Sequence, residues 1–177
     1  YPRRRADRIV GLFVGGSLAS EAKLVLKGAG IATTTPERPL HAIVPLEASG
    51  NLVIDTGDDF YTVGKPHPMV DQTVRCELMS AAGRDPSVGI VLFDVVLGDG
   101  SHLDPAPEIV DVVKEVREAV GHGPLFLASI TGTSSDPQGM ERQRVLLEGA
   151  GVFVLSSAAM AAKVAAHIMS TDARERS

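Results

Sequence analysis

Apolar positions along this chain switch repeatedly between two periods. Residues 8–14 (Arg-Ile-Val-Gly-Leu-Phe-Val) form a mostly apolar run that stops at Gly15-Gly16-Ser17. From Leu18 onward apolar residues recur at helical spacing, at Ala22, Val25, Leu26 and Ala29, with Gly28 and Gly30 bracketing the stop. The first pattern predicts a strand, the second an amphipathic helix, and a glycine just past the last periodic residue is a C-terminal stop. Residues 51–55 predict a second strand, and Val70, Val74, Leu78 and Ala81 or Ala82 a helix ending near Gly83. Residues 89–97, apolar except for Asp94, suit a strand covered on both faces. A helix follows through Ile109, Val112, Val113, Val116 and Val120, then a strand over 124–130. Asp136-Pro137 reads as the opening of the next helix, because a carboxylate accepts orphan N–H groups and proline tolerates the first helical position. That helix runs to about Ala150, with a last strand over 152–155 and an alanine-rich helix over 158–169. Residues 31–50 read as a long connection with a short strand at 41–44, and 61–68, holding Gly64, Pro66 and Pro68, as loop.

Repeated strand–helix units imply a parallel sheet with right-handed crossovers and helices on both faces. The economical arrangement is an α/β, flavodoxin-like doubly wound sheet of about five strands in the order 2-1-3-4-5. The domain then spans residues 8–170, with 1–7 and 171–177 as flexible tails. In such a sheet all strand-to-helix loops share one edge, where ligands bind near the switch point. Here the distinctive polar residues fall in those loops, at 15–17, 55–71, 94–104 and 131–138, whereas returns such as 121–124 are short and bland. Fold alone names no activity.

Composition narrows the classes. With 44% hydrophobic residues the chain can bury a full core, which excludes disorder. No apolar run approaches the roughly 20 residues of a membrane helix. Lys+Arg 17 against Asp+Glu 22 gives a net charge of -5, which argues against a nucleic-acid surface. A lone cysteine, Cys76, forms no internal disulfide and is expected buried and inert, pointing to a cytoplasmic protein. The chain opens on Tyr1 without a signal peptide, and reads as an excised or trimmed domain with Arg3, Arg4 and Arg5 in a solvated leader.

The loops hold the chemistry. Gly15, Gly16 and Ser17 at a helix start let backbone N–H groups approach an anion, or form a tight turn with Ser17 as N-cap. Gly132 and Thr133, with Ser134, Ser135 and Gln138, offer a cradle for phosphate or carboxylate, or a polar turn. Asp55, Asp58, Asp59 and Asp71 crowd one loop, where Asp55 and Asp58 suit Mg²⁺ or plain turn and cap roles. His67 stands between Pro66 and Pro68, a stiff mount for an acid–base or nucleophilic group. Asp94 interrupts an apolar strand, and a buried carboxylate is expensive unless paired, so it is either functional or a cap for a neighbouring loop. His102 follows the Gly98-Asp99-Gly100 turn, and Asp104-Pro105 reads as a helix cap. His41, His122 and His167 read as solvated or structural.

These motifs, taken in order, resemble the FdrA family: Gly15-Gly16-Ser17-Leu18 with Glu21-Ala22, Asp55-Thr56-Gly57-Asp58-Asp59, Gly64-Lys65-Pro66-His67-Pro68-Met69, Asp94-Val95-Val96-Leu97-Gly98, His102-Leu103-Asp104-Pro105, and Gly132-Thr133 with Asp136-Pro137-Gln138. FdrA proteins are acyl-CoA synthetase-like, with a core similar to the CoA-ligase half of the succinyl-CoA synthetase alpha subunit. The resemblance implies exchange between an acyl phosphate and a thioester, with CoA and ATP or ADP with Mg as ligands. Read with it, the residues named above make His67, Asp94 and His102 catalytic candidates and Gly15, Gly16, Ser17, Gly132, Thr133 and Gln138 phosphate contacts. It also implies that the N-terminal CoA-binding domain lies outside this chain, with a second subunit or an oligomer completing the unit. One departure stands out: the synthetases phosphorylate a histidine in the loop after the fourth strand, and residues 131–143 here contain none. Some FdrA relatives are linked to an oxamate carbamoyltransferase, which uses carbamoyl phosphate and needs no phosphohistidine. A non-catalytic assembly subunit that retains an anion pocket is the third reading.

Overall fold

In the computed structural model, which describes residues 6–36 and 50–174, strand and helix alternate as the pattern requires. The order is β1 (Ile9–Phe13), α1 (Gly16–Gly28), β2 (Thr33–Thr34), β3 (Asn51–Asp55), α2 (Asp59–Thr62), α3 (Thr73–Arg84), β4 (Ile90–Val96), α4 (Pro105–Val120), β5 (Leu125–Thr131), α5 (Met140–Gly149), β6 (Phe153–Leu155) and α6 (Ala158–Arg174). All strands are parallel and lie in the order β2-β3-β1-β4-β5-β6.

Among the described residues the sheet has six strands rather than about five, and the added one is the two-residue β2 against β3. Two threonines make no apolar run, so hydrophobic pattern alone passes over them, although branched side chains suit a pleated edge. Without β2 the order is the expected 2-1-3-4-5. The strand expected at 41–44 and the Arg3–Arg5 leader lie outside the described residues. No helix among the described residues is long and apolar enough to cross a membrane.

Alternation along each strand builds two cores, because successive side chains leave a strand on opposite faces. Ile9, Phe13, Val53, Ile90, Leu92 and Leu127 pack under α1 and α6. Val10, Leu12, Leu52, Ile54, Val91 and Phe93 pack under α3, α4 and α5. On α6, Ala158, Ala161, Ala162, Ala165 and Ala166 are buried, a stripe of small side chains against the sheet.

Two boundaries differ from expectation. α5 begins at Met140 rather than at Asp136-Pro137. The Asp136 carboxylate instead accepts the Thr133 N–H at 2.5 Å, and the Gly139 N–H donates to the Asp136 carbonyl at 3.0 Å, so this segment forms a turn before the helix. Ala6 and residues 171–174, expected within the flexible tails, are anchored. α6 continues to Arg174, and Asp172, 1% exposed, accepts the N–H of buried Ala6 at 2.7 Å.

Helices α3 and α4 approach closely at Gly83, where an added methyl would lie 2.6 Å from both γ-carbons of Val116. Val116 is fully buried and branched, with one strongly preferred rotamer in a helix, so it cannot swing aside. Alanine in a helix interior gains about 1 kcal/mol over glycine, but overpacking costs about 1–3 kcal/mol. Gly83→Ala should therefore bring no gain and lower unfolding free energy by up to about 2 kcal/mol in urea titration, against the propensity scale.

Candidate functional site at the carboxyl edge

The strand order reverses around β1, which pairs with β3 on one side and β4 on the other. The crossover through α1 covers one face of the sheet and that through α3 the other, so the switch-point crevice opens between the β1 and β4 ends. Its floor is Asp94. The β1–β4 ladder registers Leu12 with Phe93, and the next free donor, the Val14 N–H, donates to Asp94 Oδ1 at 2.9 Å. Asp94 is fully buried, and burial pushes its carboxyl up while Arg75 and the Val14 N–H pull it back down. Arg75, 1% exposed, donates to the Asp94 carbonyl at 2.5 Å and stands 3.5 Å from Oδ1. Burial lowers the Arg75 pKa and Asp94 opposes that shift. Arg75 also donates to Gln72 Oε1, and Gln72 Nε2 donates to the Pro105 carbonyl at 3.1 Å. A narrow cleft lined by Val14, Pro68, Met69, Arg75 and His102 sits above this pair.

Around the crevice stand three groups from successive loops. Gly15 caps α1 without a side chain, no acidic residue lies in the first turn, and Gly16 and Ser17 are exposed. Asp55 Oδ1 accepts the Gly57 N–H at 2.9 Å, while Oδ2 lies 2.9 Å from where a Cβ on Gly16 would sit. Buried Thr56 fastens this loop to β1, its N–H and Oγ1 both donating to the Phe13 carbonyl at 2.7 Å. His67 closes the group: a Cβ on Gly57 would lie 2.6 Å from His67 Nε2 and 2.7 Å from the Val14 carbonyl. Only glycine leaves room for the imidazole there. His67 Nδ1 accepts the Met69 N–H at 3.1 Å, so the neutral ring carries its proton on Nε2, the nitrogen facing Gly57.

The other expected residues occupy the same edge in different roles. The His102 N–H donates to the Met69 carbonyl at 2.7 Å, tying the two loops, but its ring turns to the start of α4. There Nδ1 accepts the Asp104 N–H and Nε2 meets Glu108 Oε1, each at 3.1 Å. Gln138 is spent on the β4 loop: Nε2 donates to the carbonyls of Gly98 and His102 and to Ser101 Oγ, and Oε1 accepts the Gly98 N–H. The Thr133 N–H is taken by Asp136, whose Oδ2 also lies 2.8 Å from a Cβ position on Gly132. Asp104 makes no cap hydrogen bond; it accepts from Arg142 at 2.6 and 2.8 Å and from Gln143 at 2.8 Å. Asp58 caps α2 through the Phe60 N–H, and Asp71 accepts the Thr73 N–H at 2.9 Å. Among the described residues no three His, Cys, Asp or Glu side chains gather as a metal site, and Asp55 and Asp58 each already hold a backbone N–H. Cys76 is half-buried, and burial pushes its thiol up to about 11, leaving it protonated at neutral pH.

Sequence reasoning passed over Arg75 and Gln143. A signal for Arg75 existed: it falls on the same helical face as Leu78, Met79 and Ala82, all buried. Fully buried Gln143 bridges the Ala106 N–H, Asp104 and the Gln138 carbonyl, but a neutral amide in a polar helix gives no such signal.

Fold and loops together define a doubly wound α/β domain whose distinctive polar loops gather at the carboxyl end of the sheet. The CoA-ligase family model matches residues 12–168, and the chain belongs to that family. It is 36% identical over 155 residues to the uncharacterized protein YahF of Escherichia coli, covering 84% of this chain and 30% of that protein. Among solved structures it is similar to the dinucleotide-forming acetyl-coenzyme A synthetase 1 of Ca. Korarchaeum cryptofilum, with TM-score 0.63 and 16% identity over 99% of this chain and 35% of that one. The ATP citrate lyase of Methanothrix soehngenii, solved with citrate and coenzyme A, gives TM-score 0.55 and 14% identity over 96% of this chain and 25% of that one. At these identities the structures show a shared fold. The chain spans about a third or less of the length of these three relatives.

Two outcomes follow from the loop contacts. Gln138→Ala, removing four hydrogen bonds at a residue only 5% exposed, should cost about 2–4 kcal/mol in urea unfolding. Hydrogen bonds from Arg142, then Gln143, hold the Asp104 carboxyl below its usual range. Their contribution is whole above the unfolded aspartate pKa of about 3.9 and is lost as pH falls through the lower folded value. Asp104→Asn should therefore melt below the parent at pH 7 and converge with it in strong acid, read by thermal scans across that range.

Proposed function

We propose that this chain is the part of a larger acid–thiol ligase, FdrA-like in its motifs, that holds the phosphoryl end of an acyl phosphate. The observation that carries the reading is the open start of α1 beside His67 at the switch-point crevice. First-turn N–H groups and the helix dipole favour an anion there, and His67 Nε2–H adds a donor fixed by the Met69 bond and its flanking prolines. In the forward direction the thiol sulfur attacks the acyl carbon, the C–S bond forms, and the C–O bond to phosphate breaks. Asp55, with Oδ2 over Gly16, is placed to take the thiol proton, while the leaving phosphate keeps the bridging electron pair. CoA supplies the thiol, and we assign its main grip to polypeptide beyond this chain, consistent with the length of the relatives. Asp55 and Asp58 do not by themselves fit a resident Mg²⁺, so no step runs through one.

A specific observation favours chemistry without a phosphoenzyme. Residues 131–143 lack histidine and their Thr133 N–H is filled by Asp136, while the resting His67 tautomer presents a proton rather than a lone pair at Nε2. Carbamoyl transfer to oxamate is such a chemistry: the amide nitrogen attacks the carbamoyl carbon, the C–N bond forms, the C–O bond to phosphate breaks with its electron pair going to the leaving phosphate, and the nitrogen's proton passes to that phosphate. Hydroxylamine trapping of acyl phosphate from acyl-CoA and phosphate supports the ligase; phosphate release from carbamoyl phosphate only when oxamate is added supports the second reading. Neither signal, in chain that nevertheless binds phosphate, returns the assembly-subunit reading.

Inorganic phosphate should shift the amide resonances of Gly16, Ser17 and Leu18 and the His67 side chain in ¹H–¹⁵N spectra. His67→Ala and Ser17→Pro, the latter tolerated in a helix first turn while deleting one N–H, should each weaken phosphate about tenfold. Saturating phosphate that leaves those amides unmoved would sink the proposal.

A further inference from the structure

Two helical faces on opposite sides of the sheet carry opposite charge, and neither belongs to the carboxyl-edge site. Between α3 and α4 runs a groove of about 750 Å³ with Cys76, Ala81 and Val112 along its floor. Its rim carries Glu77, Glu108, Asp111 and Glu115, and its one lining cation, Arg84, is paired with Glu115. Between α1 and α6 a second groove is lined by Lys163, His167 and Arg174 and, among the described residues, by no carboxylate. Those three residues fall on one stripe of α6, about 16 Å long at the helical rise. Leu24 lines the same groove and is 70% exposed.

We infer that the α1/α6 face of one copy of this chain docks on the α3/α4 face of a second copy, with Leu24 seated over Ala81 and Val112 and the α6 cations against the acidic rim. Both halves of the interface are on this chain and are complementary in charge, with exposed Leu24 as the apolar contact. Among the described residues the basic groove has no lining carboxylate, and the acidic groove supplies a row of them along α4, from Glu108 to Glu115, that a cationic stripe can span. Because the two patches differ and lie on opposite faces, the contact is heterologous, and each added copy leaves one of each patch free. Association should therefore extend beyond a dimer as concentration rises. Opposed surface charges steer such an encounter and weaken it as salt shortens their range.

Sedimentation velocity on the full chain tests this. Weight-average mass should rise with concentration at low ionic strength, and the association should weaken about tenfold or more between 50 and 500 mM salt. Leu24→Asp should return the monomer. Two double variants, Glu108→Lys with Asp111→Lys and Lys163→Glu with Arg174→Glu, should each be monomeric alone and associate when mixed one to one. All five positions are exposed, so circular dichroism should be unchanged. A wild-type chain that is monomeric at every concentration and salt overturns the inference. So does self-association that survives the charge reversals, or a mixture of the two reversed variants that stays monomeric.

Discussion

A single buried carboxylate makes the crevice. For a gap to open at the switch point, β1 must stop pairing with β4 while its last residues are still inside the molecule. Val14, only 2% exposed, then has an N–H with no ladder partner inside a buried segment. Asp94 answers that donor, and an ionised group at such depth demands a counter-charge. Arg75 supplies it from α3, is steadied by Gln72, and Gln72 in turn holds the Pro105 carbonyl at the start of α4. The loops on both flanks of the crevice are thus registered against one another through its floor. The spacing of His67, Gly16 and Asp55 around the opening depends on that floor staying where it is.

The balance in this floor is Coulombic attraction against desolvation. Burial pushes both members of the pair toward their neutral forms, Asp94 up and Arg75 down, and each is the other's principal electrostatic support. Removing one member leaves the other buried and uncompensated, which is the costly case for ion pairs. The site's geometry and the domain's stability therefore meet at the same two residues.

Much of this was legible because the chain's patterning is consistent with its fold. Apolar runs ending in glycine or aspartate, followed by period-3.6 stretches, define β1, β3, β4 and β5 and put their loops on one edge. Asp94 announced itself as the one charge in an apolar strand. Where the reading failed, a side-chain partner decided. Asp136-Pro137 has the form of a helix opening, yet its carboxylate found the Thr133 N–H and the helix waited for Gly139, which sits at a φ of 71°. Gln138 looked like a ligand contact, but its amide is saturated by a loop forty residues away in sequence, which no local pattern encodes. Arg75 was hidden by its own class, since arginine on a helix is ordinarily a solvated residue.

The helix starts along the carboxyl edge show why α1 stands apart. α2 is capped by Asp58, the first N–H of α3 by Asp71, an early N–H of α4 by Gln143, and an early N–H of α6 by Ser157. α5 carries Glu141 in its first turn. α1 has glycine at its cap, no acid in its first turn and no side-chain acceptor. A serine or aspartate cap is worth about 1 kcal/mol over a residue that cannot cap, although glycine recovers most of that by leaving its N–H groups open to water. Glycine is thus the residue that keeps this start both inexpensive and unoccupied, whereas the Thr133 cradle on the same edge is filled by the chain's own carboxylate. Along this edge one cradle is closed by the chain's own carboxylate, whereas the α1 start carries no side-chain cap and has Asp55 Oδ2 beside Gly16, so the two loops differ in how their donors are met rather than in the presence of a helix terminus as such.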